Sequence, residues 1–124
     1  MDSLVQKAAE VRKNAYAPYS KFLVGAALET EEGKIFLGVN VENASYGATT
    51  CAERSAIFSA VSNGYKKFKR IAIVTDTSKP SVPCGLCLQV MYEFAPQLEL
   101  IMATTSGKVE KTTLGKLLPK AFTL

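Results

Sequence analysis

Three cysteines and no histidine limit the chemistry open to this chain of 124 residues. Glu53 follows Cys51 by two positions, and Cys84 and Cys87 form a Cys-x-x-Cys pair directly after Pro83. Without histidine the chain can form no Ser-His or Cys-His nucleophilic site and no histidine-ligated metal site. A general acid or base near neutral pH must then be a carboxylate, a lysine, a tyrosine or a metal-activated water.

The number of cysteines favours a catalytic metal site. A Cys-x-x-Cys pair alone fits a structural zinc, a catalytic zinc or a redox dithiol. Structural zinc sites take four protein ligands, whereas catalytic sites take three and leave one position for water. Three Cys without His therefore favour catalytic zinc held by Cys51, Cys84 and Cys87. The alternatives are a structural zinc with a carboxylate or intersubunit fourth ligand, and a redox pair that leaves Cys51 and Glu53 without a role.

Two charged residues beside Cys51 have predicted roles. Glu53 is the candidate catalytic residue, taking a proton from water and returning it to a substrate nitrogen and the leaving amine. Its structural alternative is a carboxylate that complements a helix dipole. Three thiolates and Zn²⁺ carry a formal charge of about −1, so a nearby cation is expected. Arg54 could donate hydrogen bonds to cysteine sulfur, or it could be a solvated helix residue.

The hydrophobic pattern predicts the elements that position these residues. Predicted helices cover residues 4–15 with Ser3 as N-cap, 51–61, from Pro83 to about 94, and a turn at 114–118; predicted strands cover 22–28, 34–41, 71–75, 98–103 and 109–112. Both cysteine groups fall at helix starts, where the partial positive charge stabilises thiolates. Alternating strands and helices favour a sheet covered by helices, and the opening hairpin makes it mixed.

Composition indicates a soluble, folded protein. Hydrophobic residues make up 48% of the chain. We interpret residues 1–124 as a single domain. No apolar run approaches the roughly 20 residues of a membrane span, and the N-terminus lacks a secretory pattern, so we expect a cytoplasmic protein. The net charge is +4. The basic run at 66–70 is interpreted as a solvated helix end leading into a loop, not a nucleic-acid surface.

Six segments resemble the small, homotetrameric, three-cysteine cytidine deaminases. They are residues 17–22 (Ala-Pro-Tyr-Ser-Lys-Phe), 24–27 (Val-Gly-Ala-Ala), 38–46 (Gly-Val-Asn-Val-Glu-Asn-Ala-Ser-Tyr), 51–54 (Cys-Ala-Glu-Arg), 83–90 (Pro-Cys-Gly-Leu-Cys-Leu-Gln-Val) and 117–122 (Leu-Leu-Pro-Lys-Ala-Phe). The resemblance implies a three-layer α/β/α domain around a mixed five-stranded sheet. It also implies one Zn²⁺ per subunit and hydrolysis of cytidine and deoxycytidine to uridine and deoxyuridine, with release of ammonia, in pyrimidine salvage.

The resemblance also implies a nucleoside site. Asn40 and Glu42 would bind the ribose 3′-hydroxyl side, Phe22 would pack on the nucleoside, and Ala52 would line the substrate site. Asn40 and Glu42 lie two apart at a strand end, so they project from one face. An amide and a carboxylate there suit a sugar diol. The residues alone, however, favour a sugar-binding pair and a polar cap on the strand end equally.

Other implied substrate contacts come from neighbouring subunits. By the same resemblance, Ala44 and Tyr46 lie in a segment that completes a neighbour's pocket, and Phe122 covers the base from another subunit. The family usually has a small residue where Leu86 stands and Arg where Leu88 stands. We expect Leu88 to be tolerated if it packs into an interface or the core.

Three other functions compete with cytidine deamination as interpretations of the sequence. A deaminase of another aminopyrimidine, such as blasticidin S, is the closest alternative to a cytidine deaminase. A polynucleotide deaminase is less favoured because the chain offers little surface beyond the core domain to bind a strand. A non-catalytic module stabilised by zinc is the alternative from another class.

Overall fold

The computed structural model describes residues 2–124. Its helices are α1 (Ser3–Val11), α2 (Ala52–Ser62), α3 (Gly85–Phe94) and α4 (Leu114–Leu117), and its strands are β1 (Val24–Thr30), β2 (Ile35–Val39), β3 (Phe68–Thr75), β4 (Glu99–Thr104) and β5 (Val109–Thr113). Short 3₁₀ turns cover Arg12–Asn14 and Tyr46–Ala48. None of the helices in this part of the chain has the length and apolar character to cross a membrane.

The described strands form one mixed sheet in the order β2-β1-β3-β4-β5. Strand β1 pairs antiparallel with β2 and with β3, and β4 pairs antiparallel with β5. The β3–β4 pair is parallel, and α3 provides the crossover between these two strands. The predicted mixed five-stranded sheet is confirmed.

Helices cover both faces of the sheet. Leu4, Val5 and Ala8 of α1 pack with Ala27 of β1 on one face. The neighbouring Leu28 points to the opposite face, where it shares a core with residues of α2 and α3. This alternation follows from the two-residue period of a strand, and it explains why β1 is apolar on both sides. The fold is therefore the three-layer α/β/α arrangement implied by the resemblance.

Two glycines allow the helices to lie close to the sheet. A Cβ at Gly25 would stand 2.0 Å from the Ala8 carbonyl oxygen of α1. A Cβ at Gly38 would stand 2.4 Å from the Ala52 carbonyl oxygen of α2 and 2.4 Å from the Ala56 nitrogen. Real side chains do not reach such distances, so both positions require glycine unless the helices move.

The predicted start and end of the first helix are wrong. The N-cap is Asp2, whose carboxylate accepts a hydrogen bond of 2.8 Å from the Leu4 N–H, and Ser3 is the first helical residue. Asp and Ser are both good N-caps, and Asp2 also pairs with Arg70. The α-helix ends at Val11 and continues as a 3₁₀ turn.

The interpretation of the basic run is also wrong. Helix α2 ends at Ser62, before Gly64 with a φ of 91°, and β3 already begins at Phe68. Phe68 is buried and packs against Phe94, with ring centroids 5.6 Å apart. The run therefore enters the sheet, with its alternate side chains in solvent. The predicted start of the later helix at Pro83 is wrong as well. Helix α3 begins at Gly85, so Pro83 lies before the helix.

Candidate active site

The three cysteines meet at the N-termini of two helices. Cys51 is the N-cap of α2, Cys84 is the N-cap of α3, and Cys87 lies in the first turn of α3. Neither N-cap sulfur is used to cap its own helix. The Cys51 and Cys84 sulfurs are 3.8 Å apart, those of Cys84 and Cys87 are 3.5 Å apart, and all three lie within 4.8 Å of one another.

This donor set fits a zinc ion. Zn–S bonds of about 2.3 Å in tetrahedral geometry separate the sulfurs by about 3.8 Å, close to the spacings found here. Among residues 2–124 the cluster consists of these three ligand groups, which leaves one position of a tetrahedron without a protein ligand. Cys87 is buried, while Cys51 and Cys84 line a cavity. The arrangement therefore fits a zinc that faces the cavity.

Electrostatics favour thiolate at Cys51. Hydrogen bonding with the Cys87 thiol, and then with Arg54, lowers the pKa of Cys51 to about 5. The same contact raises the pKa of Cys87, which holds the shared proton. Arg54 Nη2 lies 3.5 Å from the Cys51 sulfur. Metal binding displaces thiol protons, so a metal cation can replace the proton that Cys51 and Cys87 share.

Glu53 is a buried carboxyl group at the same cavity. It occupies the first turn of α2 and is only 5% exposed. Burial raises the pKa of Glu53 to about 7, and the neighbouring Cys51 charge adds to this effect. A carboxyl group with a pKa near neutrality can both accept and donate a proton at physiological pH.

The cavity has a volume of about 370 Å³, within the range of small-molecule sites. Most of the predicted site residues line it: Phe22, Asn40, Glu42, Tyr46, Cys51, Ala52, Glu53 and Cys84. These residues come from the loop before β1, the segment after β2 and the starts of two helices. The fold thus brings together groups that are distant in the sequence.

Asn40 is built into the wall of this cavity. Its Oδ1 accepts a hydrogen bond of 2.8 Å from the Val24 N–H, and its Nδ2 donates one of 2.7 Å to the Phe22 carbonyl. The side chain is buried. Two backbone partners therefore fix the orientation of its amide, as expected of a buried polar group.

Glu42 is held by the loop before β1. Its Oε1 accepts hydrogen bonds from the Tyr19 and Ser20 N–H groups, at 3.0 and 3.1 Å, and its Oε2 accepts one from the Ser20 hydroxyl. Hydrogen bonding to the Ser20 hydroxyl, followed by its N–H, lowers the pKa of Glu42. The carboxylate is therefore charged and oriented at neutral pH.

Four predicted site residues do not line this cavity. Arg54 and Cys87 contact the other sulfurs from outside it. Ala44 lines a smaller adjacent cavity of about 280 Å³, which Tyr46 shares. Phe122 is 71% exposed, and its backbone pairs with the Gln89 amide through hydrogen bonds of 2.8 and 3.2 Å.

Several lining residues were not predicted, namely Ser20, Val24, Thr49, Thr50, Ile73, Thr75, Ser81, Val82 and Pro83. Most are short polar or apolar residues whose types carry no chemical signal. Ser20 belongs to a segment that carried the resemblance, but nothing in its local sequence indicates that it contacts Glu42.

The two departures from the family pattern have different environments. Leu86 is exposed on the first turn of α3, whereas Leu88 is buried in the core between the sheet and α3. Leu88 therefore lies in one of the two environments, the core, in which we expect it to be tolerated. Among the described residues, Arg54 is the cation within hydrogen-bond distance of a cysteine sulfur.

Three thiols that fit zinc, beside a buried carboxyl group in a small-molecule cavity, define the site of a zinc-dependent hydrolase. Residues 1–103 match the family described as the cytidine and deoxycytidylate deaminase zinc-binding region. The chain belongs to this family.

Individual proteins extend the match to nearly the whole chain. A cytidine deaminase from Sporosarcina psychrophila is 47% identical, over 98% of this chain and 90% of its own length. The crystal structure of cytidine deaminase from Burkholderia pseudomallei superposes with a TM-score of 0.94 at 52% identity, covering 97% of both chains. A blasticidin-S deaminase from Bacillus cereus is 37% identical, over 84% of this chain and 79% of its own length.

Proposed function

We propose that this chain is a zinc-dependent enzyme that hydrolyses cytidine and deoxycytidine to uridine and deoxyuridine, with release of ammonia. The observation that carries the proposal is the placement of the three sulfurs, within 4.8 Å of one another, beside the buried Glu53 at one cavity. The cytidine deaminases similar in sequence and structure support the choice of substrate.

The division of chemical roles follows from the residues at the cavity. Cys51, Cys84 and Cys87 hold the zinc, which when bound supplies Lewis-acid activation of water near neutral pH. The Glu53 carboxylate accepts the two protons of the attacking water one after the other, delivering the first to the pyrimidine ring nitrogen and the second to the leaving amine as its bond to carbon breaks. One water is consumed and one ammonia is released, so Glu53 ends each cycle in its starting state.

The hydrogen-bonding capacity left at Asn40 and Glu42 suits one sugar hydroxyl. A carboxylate has about four acceptor positions, and three on Glu42 are already used. Asn40 has one N–H and one acceptor position unused by Val24 and Phe22. A single 3′-hydroxyl that donates to Glu42 and accepts from Asn40 would use the last acceptor position of Glu42 and the free N–H of Asn40. Cytidine and deoxycytidine share this hydroxyl, which supports their use as alternative substrates.

The remaining roles concern the assembly. We place Phe22 and Ala52 against the nucleoside, and Ala44, Tyr46 and Phe122 in pockets shared between the subunits of a homotetramer. The exposure of Tyr46 and Phe122 in the single chain supports such shared pockets. The enzyme would act in the cytoplasm, in pyrimidine salvage, with one Zn²⁺ per subunit.

Metal analysis beside a deamination assay tests the proposal. The purified protein is expected to hold one zinc per chain and to convert cytidine and deoxycytidine, followed by absorbance loss and by ammonia release. The Glu53→Gln variant is expected to keep its zinc and lose activity by about 10²- to 10⁴-fold, because the proton carrier is gone. Glu93→Gln, which changes an exposed glutamate on α3, is the matched control and should match wild type.

Three results would contradict the proposal. A protein without metal would refute the site, and zinc without turnover would indicate a binding module. Faster turnover of blasticidin S than of either nucleoside would identify the alternative substrate, which the relative from Bacillus cereus makes worth testing.

A further inference from the structure

The Ser20 hydroxyl links two residues of the proposed nucleoside site. It donates a hydrogen bond to Glu42 Oε2 and accepts one of 3.0 Å from the Phe22 N–H. A hydroxyl has a single hydrogen to donate, so the donor of Ser20 is committed to Glu42. Since Ser20 also lines the cavity, this link lies at the site itself.

The backbone of Phe22 is held from both sides. Its N–H is bound by the Ser20 hydroxyl, and its carbonyl accepts the Asn40 amide hydrogen bond of 2.7 Å. A continuous series of hydrogen bonds therefore joins Glu42, Ser20, Phe22 and Asn40. All of these residues except Ser20 were already implicated in substrate binding.

The loop adopts an uncommon backbone conformation to make these contacts. Lys21 has a φ of 62°, and within residues 2–124 it is the one residue other than glycine with a positive φ. Its N–H donates to the Ala17 carbonyl at 3.0 Å. Left-handed conformations of non-glycine residues persist where the surroundings impose them, and they concentrate at functional sites. The turn at Lys21 places Ser20 where it can contact both Glu42 and Phe22.

We propose that Ser20 is a positioning residue that orients the Glu42 carboxylate toward the sugar 3′-hydroxyl of the substrate and fixes the position of that carboxylate relative to Phe22. The inference rests on the proposed function, which places Glu42 at the sugar. Ser20 thereby contributes to the selection of nucleosides that carry a 3′-hydroxyl, without touching the reacting atoms.

Loss of the Ser20 hydroxyl should affect one oxygen of Glu42 above all. Oε1 keeps its two N–H donors, but Oε2 loses the contact that fixes the plane of the carboxylate. A carboxylate that can rotate binds the substrate hydroxyl less well, because substrate binding must then also fix the orientation of the carboxylate, which costs conformational entropy. The Phe22 N–H also loses its acceptor. We therefore expect weaker binding of the sugar, with the chemistry at Glu53 unchanged.

Paired substrates test this role. Deoxycytidine and 2′,3′-dideoxycytidine differ only in the 3′-hydroxyl, and kcat and KM are measured for both with zinc-loaded protein. Ser20→Ala is expected to lower kcat/KM for deoxycytidine about tenfold, mostly through KM, since hydrogen bonds to charged groups have about this effect. For dideoxycytidine we expect a loss of less than about twofold, because the hydroxyl that Glu42 would bind is absent.

Two further variants complete the experiment. Ser20→Thr keeps the hydroxyl and should keep most of the preference for deoxycytidine. Ser62→Ala makes the same change at an exposed position at the end of α2 and should behave as wild type. Thermal unfolding of each variant checks that it is folded.

The outcomes distinguish this role from a merely structural one. Equal losses on both substrates would overturn the proposal, since a loosened loop would not discriminate between them. Unchanged kinetics in Ser20→Ala would overturn it as well. A wild-type protein that converts neither nucleoside would refute the proposed function, and the role of Ser20 with it.

Discussion

Arg54 is the cation that contacts the cysteine cluster in the described part of the chain. Its hydrogen bond to Cys51, and a further one to Cys87, raise the pKa of the guanidinium. We expect Arg54→Gln to weaken zinc retention or kcat/KM by about 10- to 100-fold, as loss of a residue that supports metal ligands commonly does. Zinc affinity is measured by competition with a chromophoric chelator, and kcat/KM with cytidine.

A matched variant separates this local effect from the overall charge. Lys69→Gln removes one positive charge at an exposed position of β3 and should leave zinc affinity unchanged. If Arg54→Gln and Lys69→Gln behave alike, Arg54 is an ordinary solvated helix residue.

The sequence predicts the cysteine cluster better than the hydrogen bonds around Glu42. Cys51, Cys84 and Cys87 are identified by residue type, by count and by their position at helix starts, all of which are visible locally. The contact between Ser20 and Glu42 joins residues 22 positions apart through a loop whose shape depends on Lys21. No periodicity or turn signal in the sequence specifies such a contact.

At the level of elements, the position of α2 depends on Gly38 of β2. The absence of a side chain there lets the strand approach the backbone of Ala52 and Ala56. We expect Gly38→Ala to lower the free energy of unfolding by about 1–3 kcal/mol, since overpacking forces the helix away. Because α2 carries Cys51 and Glu53, kcat/KM should also fall, by at least about tenfold for a shift near 1 Å. Urea unfolding and cytidine kinetics measure the two effects.

Gly115 provides the control for this prediction. It lies in α4, and a Cβ there would meet nothing within 4 Å. Gly115→Ala should therefore be neutral or slightly stabilising, because it reduces the entropy of the unfolded chain. A Gly38→Ala variant as stable and active as Gly115→Ala would show that α2 tolerates displacement.

Asp2 connects α1 to the sheet through charge. Its carboxylate caps α1 at Leu4 and lies 2.8 Å from Arg70 Nη1, and Arg70 Nε lies 2.5 Å from Glu29. The Leu4 N–H, and then Arg70, lower the pKa of Asp2 below its ordinary value of 3.8. We expect Asp2→Ala to lower the free energy of unfolding by about 1–2 kcal/mol at pH 7, as loss of an N-cap does.

The pH dependence of this effect has a defined sign. A lowered pKa in the folded state means that the unfolded chain binds the proton more tightly, so the contribution of Asp2 is present above pH 3.8 and lost as pH falls through the folded pKa. The difference in urea unfolding between wild type and Asp2→Ala should therefore shrink below pH 3.8. Taking the difference at each pH cancels the effect of zinc loss in acid. Ser3→Ala should change stability by less than about 0.5 kcal/mol, and a larger effect would restore Ser3 as the cap.

The order of elements is predictable because strand and helix periodicities differ, but the ends of elements depend on tertiary contacts. The sequence signals for the first helix favour Ser3 as the cap and extend the helix to Ala15. The contact of Asp2 with Arg70 favours a cap one residue earlier, and Arg12 Nε donates to the Leu23 carbonyl where the α-helix has already ended. Such partners are far away in the chain, so local patterns do not identify them.

The exposed aromatic residues Tyr46 and Phe122 are a feature that a single chain does not explain. Tyr46 is 91% exposed at the rim of the cavity, and Phe122 is held by Gln89 outside it. Large exposed aromatics commonly mark surfaces that bind another protein. In the proposed homotetramer, Phe122 of one subunit would cover the base bound by another. Phe122→Ala should therefore lower kcat/KM for cytidine while zinc content stays unchanged.

Mixed tetramers test whether Phe122 acts between subunits. Glu53→Gln subunits lack the proposed proton carrier but keep Phe122, and Phe122→Ala subunits have the reverse defect. If the aromatic acts in trans, co-expressed and co-purified subunits restore complete sites, and random assortment gives roughly a quarter of wild-type activity. If it acts within its own chain, the mixture should show only the average of the two separate variants. An active monomer in gel filtration would also contradict the shared pocket, since every group needed for turnover would then belong to one chain.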